Sequence, residues 1–374
     1  MDYTNAISNG HFWDYPSALR TPVYPLFLAI FQSQITLIIL AQMILGVVTV
    51  FFTYQIAKMV FNDEKITIFS GVLLAFSLES ITHSYYLLSE TLFTCLFVAA
   101  IYAFIHAKKS QKTSFLMLSA VLLSLSILTR PFALYFPVIL IGFIIFDQKP
   151  WLSRIKNVFV FIIIISLLIG GWMLRNRMVV GVTTISTISS HNLLYYNAAS
   201  LVAAQRDRNE QEVREVFVNQ VATILDEKAL PDTEANRYKI EKESGTKLIL
   251  ADPLHYVFIH LKSDLNNLLP DTDILEILGL SEGQKGTLNI IKQKGLWAGV
   301  IHYFDGDYRG LFLLVPFILL LLITYAAAVV AIFKHFQKRD ILTCLFFCYR
   351  LPMVCFCLDH RQIPGFESQL CRFW

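Results

Sequence analysis

"LLSETLFTCLFVAAIYAFIHAKK" occupies residues 87–109 and carries no charge between Glu90 and Lys108. An apolar run of about 20 residues is long enough to cross a bilayer as a helix. Its ends are unlike one another. One holds a single carboxylate, the other two lysines. An ionisable group at membrane depth costs roughly 2.5–3.5 kcal/mol on insertion scales, so Glu90 is a functional candidate by position alone. The plainer reading is a helix start: Ser89 can cap the helix, and an acid in the first turn suits its dipole.

The rest of the chain repeats this pattern. It has 374 residues, 55% of them hydrophobic and 16% charged. Soluble domains are about 45–50% apolar and about 25% charged, so the class is polytopic, all-α membrane protein. Apolar stretches at 35–61, 66–86, 87–107, 113–129, 131–147, 155–175, 308–333 and 341–358 can each form a span, which makes eight. Residues 22–33 are short and begin among prolines, as suits a juxtamembrane helix. The net charge of +3 and the lack of basic patches interleaved with aromatics exclude a nucleic-acid partner. Five of the six cysteines fall in the last 31 residues (Cys95 is the other), in or beside an apolar segment, where they read as small buried hydrophobes.

Loop charge orients the spans. One set of alternate loops holds Lys58 and Lys65, then Lys108, Lys109 and Lys112, then Lys149, Arg154 and Lys156, then Lys334, Lys338 and Arg339. The opposite short loops hold only Arg20 and Arg130. The first set is therefore expected to be cytoplasmic. The first 20 residues, the Glu90 knot, Arg130-Pro131 and the segment 176–307 are then expected outside. The division is 1–175 as an N-terminal transmembrane region, 176–307 as an external domain and 308–374 as a C-terminal transmembrane region. The external domain is expected to be mainly helical, because Val213, Val216, Phe217, Val221 and Leu225 fall near helical spacing. Acid, base and tyrosine thus collect on one face at lipid-phosphate depth. Arginine is the natural planar partner of phosphate, and a carboxylate there can serve as a general base.

Five elements carry a family resemblance: "RTPVYPLFLAI" (20–30), "YYLLSETLF" (85–93), "LTRPFAL" (128–134), "GGWMLRNRMVVG" (170–181) and "SSHNLLYYNAA" (189–199). In this order they resemble the GT-C superfamily of membrane glycosyltransferases, in the bacterial branch related to protein O-mannosyltransferases and aminoarabinose transferases. The resemblance implies a GT-C-like transmembrane bundle with a juxtamembrane helix and an external domain. It implies transfer of a sugar, with inversion, from a polyprenyl-phosphate-linked donor to a lipid, polysaccharide or protein acceptor outside the cytoplasm. A divalent metal ion assists in some members. No nucleotide is required, and no Gly-rich phosphate loop is present. The family-level location is a bacterial inner membrane with the site facing outward.

By position, the resemblance makes Asp2 and Glu90 the catalytic acids, with Asp14 a fallback for Asp2. It places Arg20, Tyr24, Arg130, Arg175 and Arg177 at the substrate. His360 and Arg361, in "HRQIPGFESQL", resemble an R-Y-R-x-P element and join that set. Glu90 and Arg20 are expected to line one external pocket. The family has a helix before the first loop and a further one at the end, so the chain reads as truncated at both ends. A transporter or flippase of lipid-linked saccharides and a catalytically inactive assembly protein remain alternatives.

Overall fold

The structure is a computed structural model that describes residues 2–147, 150–267, 290, 294–304 and 309–336. Along the chain run α1 (Asp2–Ser8), α2 (Val23–Ile30), α3 (Ile35–Phe61), α4 (Glu64–Ala75), α5 (Leu78–Tyr85), α6 (Glu90–Ser110) and α7 (Thr113–Ile127). A 3₁₀ turn (Pro131–Tyr135) leads into α8 (Phe136–Ile145), followed by α9 (Trp151–Val179). Then come α10 (Ile188–Asn192), a π-helical turn (Leu193–Ala198), α11 (Ala199–Arg206), α12 (Glu210–Glu227), α13 (Glu234–Ala251) and α14 (Pro253–Asn267). Last are α15 (Leu296–Phe304) and α16 (Arg309–Phe336). Among the described residues there is no strand. The fold is an all-α polytopic membrane protein.

Among the described residues, three helices, α3, α6 and α9, are long and apolar enough to span a bilayer, and α4 with α5 forms a fourth candidate bent by 45°. The bend falls at Phe76–Ser77, where the Ser77 hydroxyl accepts from the Ser80 amide and starts a new helix. The expected spans at 113–129 and 131–147 are shorter. α7 has 15 residues, about 22 Å, and α8 has 10, against a hydrocarbon core of about 30 Å. The expected span at 341–358, and the cysteines within and beyond it, lie outside the described residues.

The chain divides into two compact units. Among the described residues, the first holds those within 2–38 and 92–266, the second those within 39–91 and 267–336. In the first, α6 is the central helix. Of its apolar window 78% is buried, against 22% for α9. Its small residues Ala99, Ala100, Ala103 and Ala107 let neighbours approach closely. Phe93 and Phe97 meet Phe132 and Phe136, with ring centroids 4.7 and 4.6 Å apart. α7 and α8 both pack on α9. Buried Ser124 and Ser126 return their hydroxyls to the α7 backbone at 2.8 Å, which satisfies them without a cross-helix partner. At the far end, Lys108 donates to the Phe143 carbonyl at 3.0 Å and faces Asp147.

Helices α10 to α14 belong to this same unit. Their core is Leu194, Tyr195, Ala198, Ala199, Val202, Ala203, Val213, Phe217, Val221, Leu225 and Ile240. Val213, Phe217, Val221 and Leu225 repeat every four residues and bury one stripe of α12. Val216, the fifth member of the expected stripe, is 44% exposed. Gly245 lets α13 lie on the π-helical turn: a Cβ there would meet the Leu193 backbone at 3.2 Å. Alanine raises intrinsic helix stability by about 1 kcal/mol over glycine. Gly245→Ala is nevertheless expected to destabilise the protein by about 1–3 kcal/mol through overpacking, read as a lower melting temperature.

In the second unit, Leu78 and Phe304 pack together with Val300, Tyr303, Phe317 and Ile318 around them.

Candidate functional site

The segment between α1 and α2 is irregular, yet it is held at almost every turn. Its principal anchor is the sequence W-x-x-R-N near the end of α9. Trp172, Arg175 and Asn176 lie three and four residues apart, so they share one helix face. All three bind backbone carbonyls. Trp172 Nε1 donates to Ile185 at 2.8 Å, and Asn176 Nδ2 donates to Thr184 at 2.8 Å and Ile185 at 3.2 Å. Arg175 is fully buried. Its Nε donates to the Trp13 carbonyl and its Nη1 to that of Ser17, both at 2.9 Å, and its Nη2 donates to that of Tyr15. The guanidinium also lies 4.9 Å from the Trp172 ring. One planar fork thus fixes every second carbonyl of residues 13–17. Arg175 was placed at the substrate by resemblance; in the fold it organises the loop.

The hold continues to α2. Glu234 Oε1, at the start of α13, accepts from the Ala18 amide at 2.9 Å and the Thr187 hydroxyl at 2.6 Å. The Thr187 amide donates to the Ala18 carbonyl at 3.0 Å, and Ser186 donates to that of Leu19. Thr21 donates to the Thr129 carbonyl at 2.8 Å, and the Val23 amide donates to that of Leu128 at 3.2 Å.

This frame leaves His11, Trp13, Asp14 and Arg20 exposed. His11 Nδ1 and Asp14 Oδ2 are 3.1 Å apart. The bond from His11 holds the Asp14 carboxyl below its ordinary value of 3.8, and the positive Arg175 contributes in the same direction. Asp14 is therefore ionised throughout the neutral range. His11→Ala is expected to move its titration midpoint upward, back toward 3.8, as read by carboxyl NMR of the labelled chain.

Arg20 and Arg130 flank the Thr21–Thr129 bond, which brings two cations to one corner of the unit. Arg130 precedes the 3₁₀ turn with its guanidinium 5.7 Å from the Phe132 ring. Tyr24 is buried and stacks on Phe27. Arg177, in the last turn of α9, is exposed and donates to Thr183 Oγ1 at 3.3 Å. Beside it Gly181 adopts a φ of +88°, which ends α9 and turns the chain away.

In the second unit a buried glutamine holds the knot between α5 and α6. Gln42 Nε2 donates to the Tyr86 carbonyl at 2.6 Å and to that of Ser84 at 3.3 Å. Thr91 Oγ1 donates to the His83 carbonyl at 2.9 Å. Glu90 opens α6 and is 4% exposed, with Ser89 Oγ 3.4 Å from its Oε2. The positive end of the α6 dipole favours its negative charge.

The frame residues Glu234 and Gln42 and the His11 pairing were missed from sequence. Gln42 had a visible signal, a lone amide inside an apolar run; Glu234, an acid among acids, had none. A second buried acid, Glu241, accepts from Ser190 at 2.8 Å and lies 3.9 Å from His191. Burial, with Glu241 adding to it, raises the Tyr195 hydroxyl to about 12.

The side chain of Asp2 lies outside the described residues, although its backbone starts α1; His360 and Arg361 lie wholly outside them. Among the described residues no three His, Cys, Asp or Glu side chains come together to hold a metal ion.

Residues 23–172 match the family model described as dolichyl-phosphate-mannose-protein mannosyltransferase. The match covers about two fifths of the chain and runs from α2 to Trp172 of the loop anchor. It indicates a membrane glycosyltransferase. No curated protein and no solved structure matches the chain.

Proposed function

We propose that the protein is an inverting glycosyltransferase that moves a sugar from a polyprenyl-phosphate-linked donor to an acceptor on the extracytoplasmic side of the membrane. The family match over residues 23–172 carries this reading, since a dolichyl phosphate is itself a polyprenyl phosphate. The one-sided lysine and arginine loops support the orientation, with a bacterial inner membrane as its setting.

The acceptor oxygen attacks the anomeric carbon. The bond from that carbon to the phosphate oxygen breaks, and the polyprenyl phosphate leaves with the electron pair. The acceptor proton passes to a carboxylate of the first segment, for which Asp2 and Asp14 are the candidates. Asp14 is ionised and exposed, with His11 bonded to its carboxylate. Arg20 and Arg130, at their shared corner, stabilise the charge that develops on the leaving phosphate. Glu90 orients a substrate hydroxyl through its buried carboxylate. The sugar and the acceptor class, whether lipid, polysaccharide or protein, are read from assays.

Arg20→Ala and Arg130→Ala test the assignment. Each is expected to lower transfer by about tenfold or more by removing a charge-assisted bond to phosphate. Both should retain a cooperative thermal unfolding transition, which separates lost transfer from lost folding. Wild-type turnover in both variants would remove the two arginines from the mechanism.

A further inference from the structure

Helix α14 is built inside out. Leu254, Val257, Phe258 and Leu261 follow one another at three-residue and four-residue spacing, so they share one helix face. All four are exposed, by 51% to 84%. The other face, with His255, Tyr256, Ile259 and His260, is half-buried. A surface helix in water shows the reverse arrangement, polar side out and apolar side in. We propose that the exposed face of α14 lies in the lipid surface and seats this part of the protein against the bilayer.

The start of the helix is pinned, which fixes the face that points outward. Asp252 stands at that start. Its Oδ2 accepts from Gln205 Nε2 at 2.8 Å and its Oδ1 from the His255 amide at 3.3 Å. Its carbonyl accepts from the Tyr256 amide at 3.2 Å. On the half-buried face, His255 Nδ1 lies 3.4 Å from Asp252 Oδ2, and the Tyr256 and His260 rings meet at 4.2 Å. The outward character changes abruptly along the chain. Helix α13 exposes Lys239, Lys242, Glu243 and Lys247. Leu250, at its end, is exposed as well, and from Pro253 to Leu261 no Asp, Glu, Lys or Arg occurs.

Size and position select lipid as the occupant. A stable protein interface uses about 20–30 residues a side. The apolar strip here holds four residues of α14 and Leu250. A strip one helix wide is enough for shallow insertion at the boundary between headgroups and acyl chains. The spanning helices already hold the chain at that surface, so the strip needs little affinity of its own. It is also continuous with a lipid-facing body. The same compact unit contains α9, which exposes Phe159, Ile162, Leu167 and Leu174 along its length. Just past the end of α9, Gly181 lies against Ala235 in the first turn of α13. Helix α13 is about 27 Å long and leads directly into α14. The strip therefore begins within one helix length of the point where α9 leaves the bilayer.

The test is photo-crosslinking of the purified full chain in phosphatidylcholine vesicles, with adducts identified by mass spectrometry. A benzophenone side chain replaces Leu254 or Phe258 in turn. Each is expected to capture phosphatidylcholine at least about fivefold more than the same group in place of Gln220, an exposed polar site on α12. With the probe at 258, Leu254→Asp/Leu261→Asp should lower lipid capture by about fivefold or more, because charge is disfavoured among acyl chains. A cooperative unfolding transition shows that this variant is folded, and the comparison of positions 258 and 220 decides the question without it. Capture of another part of this chain, of a second copy or of nothing would overturn the proposal. Equal lipid capture at position 220, or undiminished capture in the folded double variant, would overturn it as well. No sugar transfer is measured, so the result is independent of the transferase reading and needs only that α9 crosses the bilayer.

Discussion

Arg175→Ala is expected to destabilise the protein by about 3–5 kcal/mol and to release the first segment. The guanidinium is fully buried and holds the carbonyls of Trp13, Tyr15 and Ser17, so its loss leaves those acceptors without their donor inside the protein. Buried polar groups left unpaired cost about 1–3 kcal/mol each, and the terms do not simply add. Arg175→Lys should recover only part of the loss, because an ammonium cannot reproduce a planar fork that meets three carbonyls. The melting temperature gives the magnitude, and limited proteolysis within residues 9–20 gives the location. A wild-type melt with an uncleaved segment would contradict the role given to Arg175.

Glu90→Gln is expected to reduce transfer about 100-fold or more while leaving the fold intact. The change keeps the shape of the side chain and removes only its charge. Its structural cost includes the interaction with the α6 N-terminus, about 0.3–1 kcal/mol, and the contact with Ser89. A carboxylate that accepts a proton or orients a hydroxyl in the transition state contributes about 10²–10⁴-fold. A rate near wild type would leave Glu90 as a helix-start residue, which its position at the head of α6 already accommodates.

What could be read from sequence depended on whether a residue broke a local pattern. Glu90 and Arg20 stand out because each sets a charge at the start of an apolar run. Gln42 breaks its run, and the three carbonyls near it show why a spanning helix keeps an amide there. Arg175 was recognisable as important, but its work was not. Its acceptors are three backbone carbonyls 158 to 162 positions upstream, and a carbonyl has no signature in sequence. Hydropathy also ranked the helices poorly. α3 is the more apolar, yet only 17% of its window is buried, against 78% for α6. Lipid accepts an apolar face as readily as a protein core does, so hydropathy does not distinguish the two. The alanines of α6 carried the information that its length and apolarity did not. The stripe on α12 was legible for the same reason that Val216 misled: three-residue and four-residue neighbours both look helical, and only packing decides which are covered.

The central claim is tested most directly by transfer of radiolabelled sugar from a polyprenyl-phosphate donor, in membranes that contain this chain. A panel of donor sugars covers the unknown specificity. The reading predicts label moved to an acceptor, with release of polyprenyl phosphate, and loss of that transfer in Glu90→Gln. Donor bound but never turned over, by any sugar of the panel, would contradict it and favour a non-catalytic assembly role.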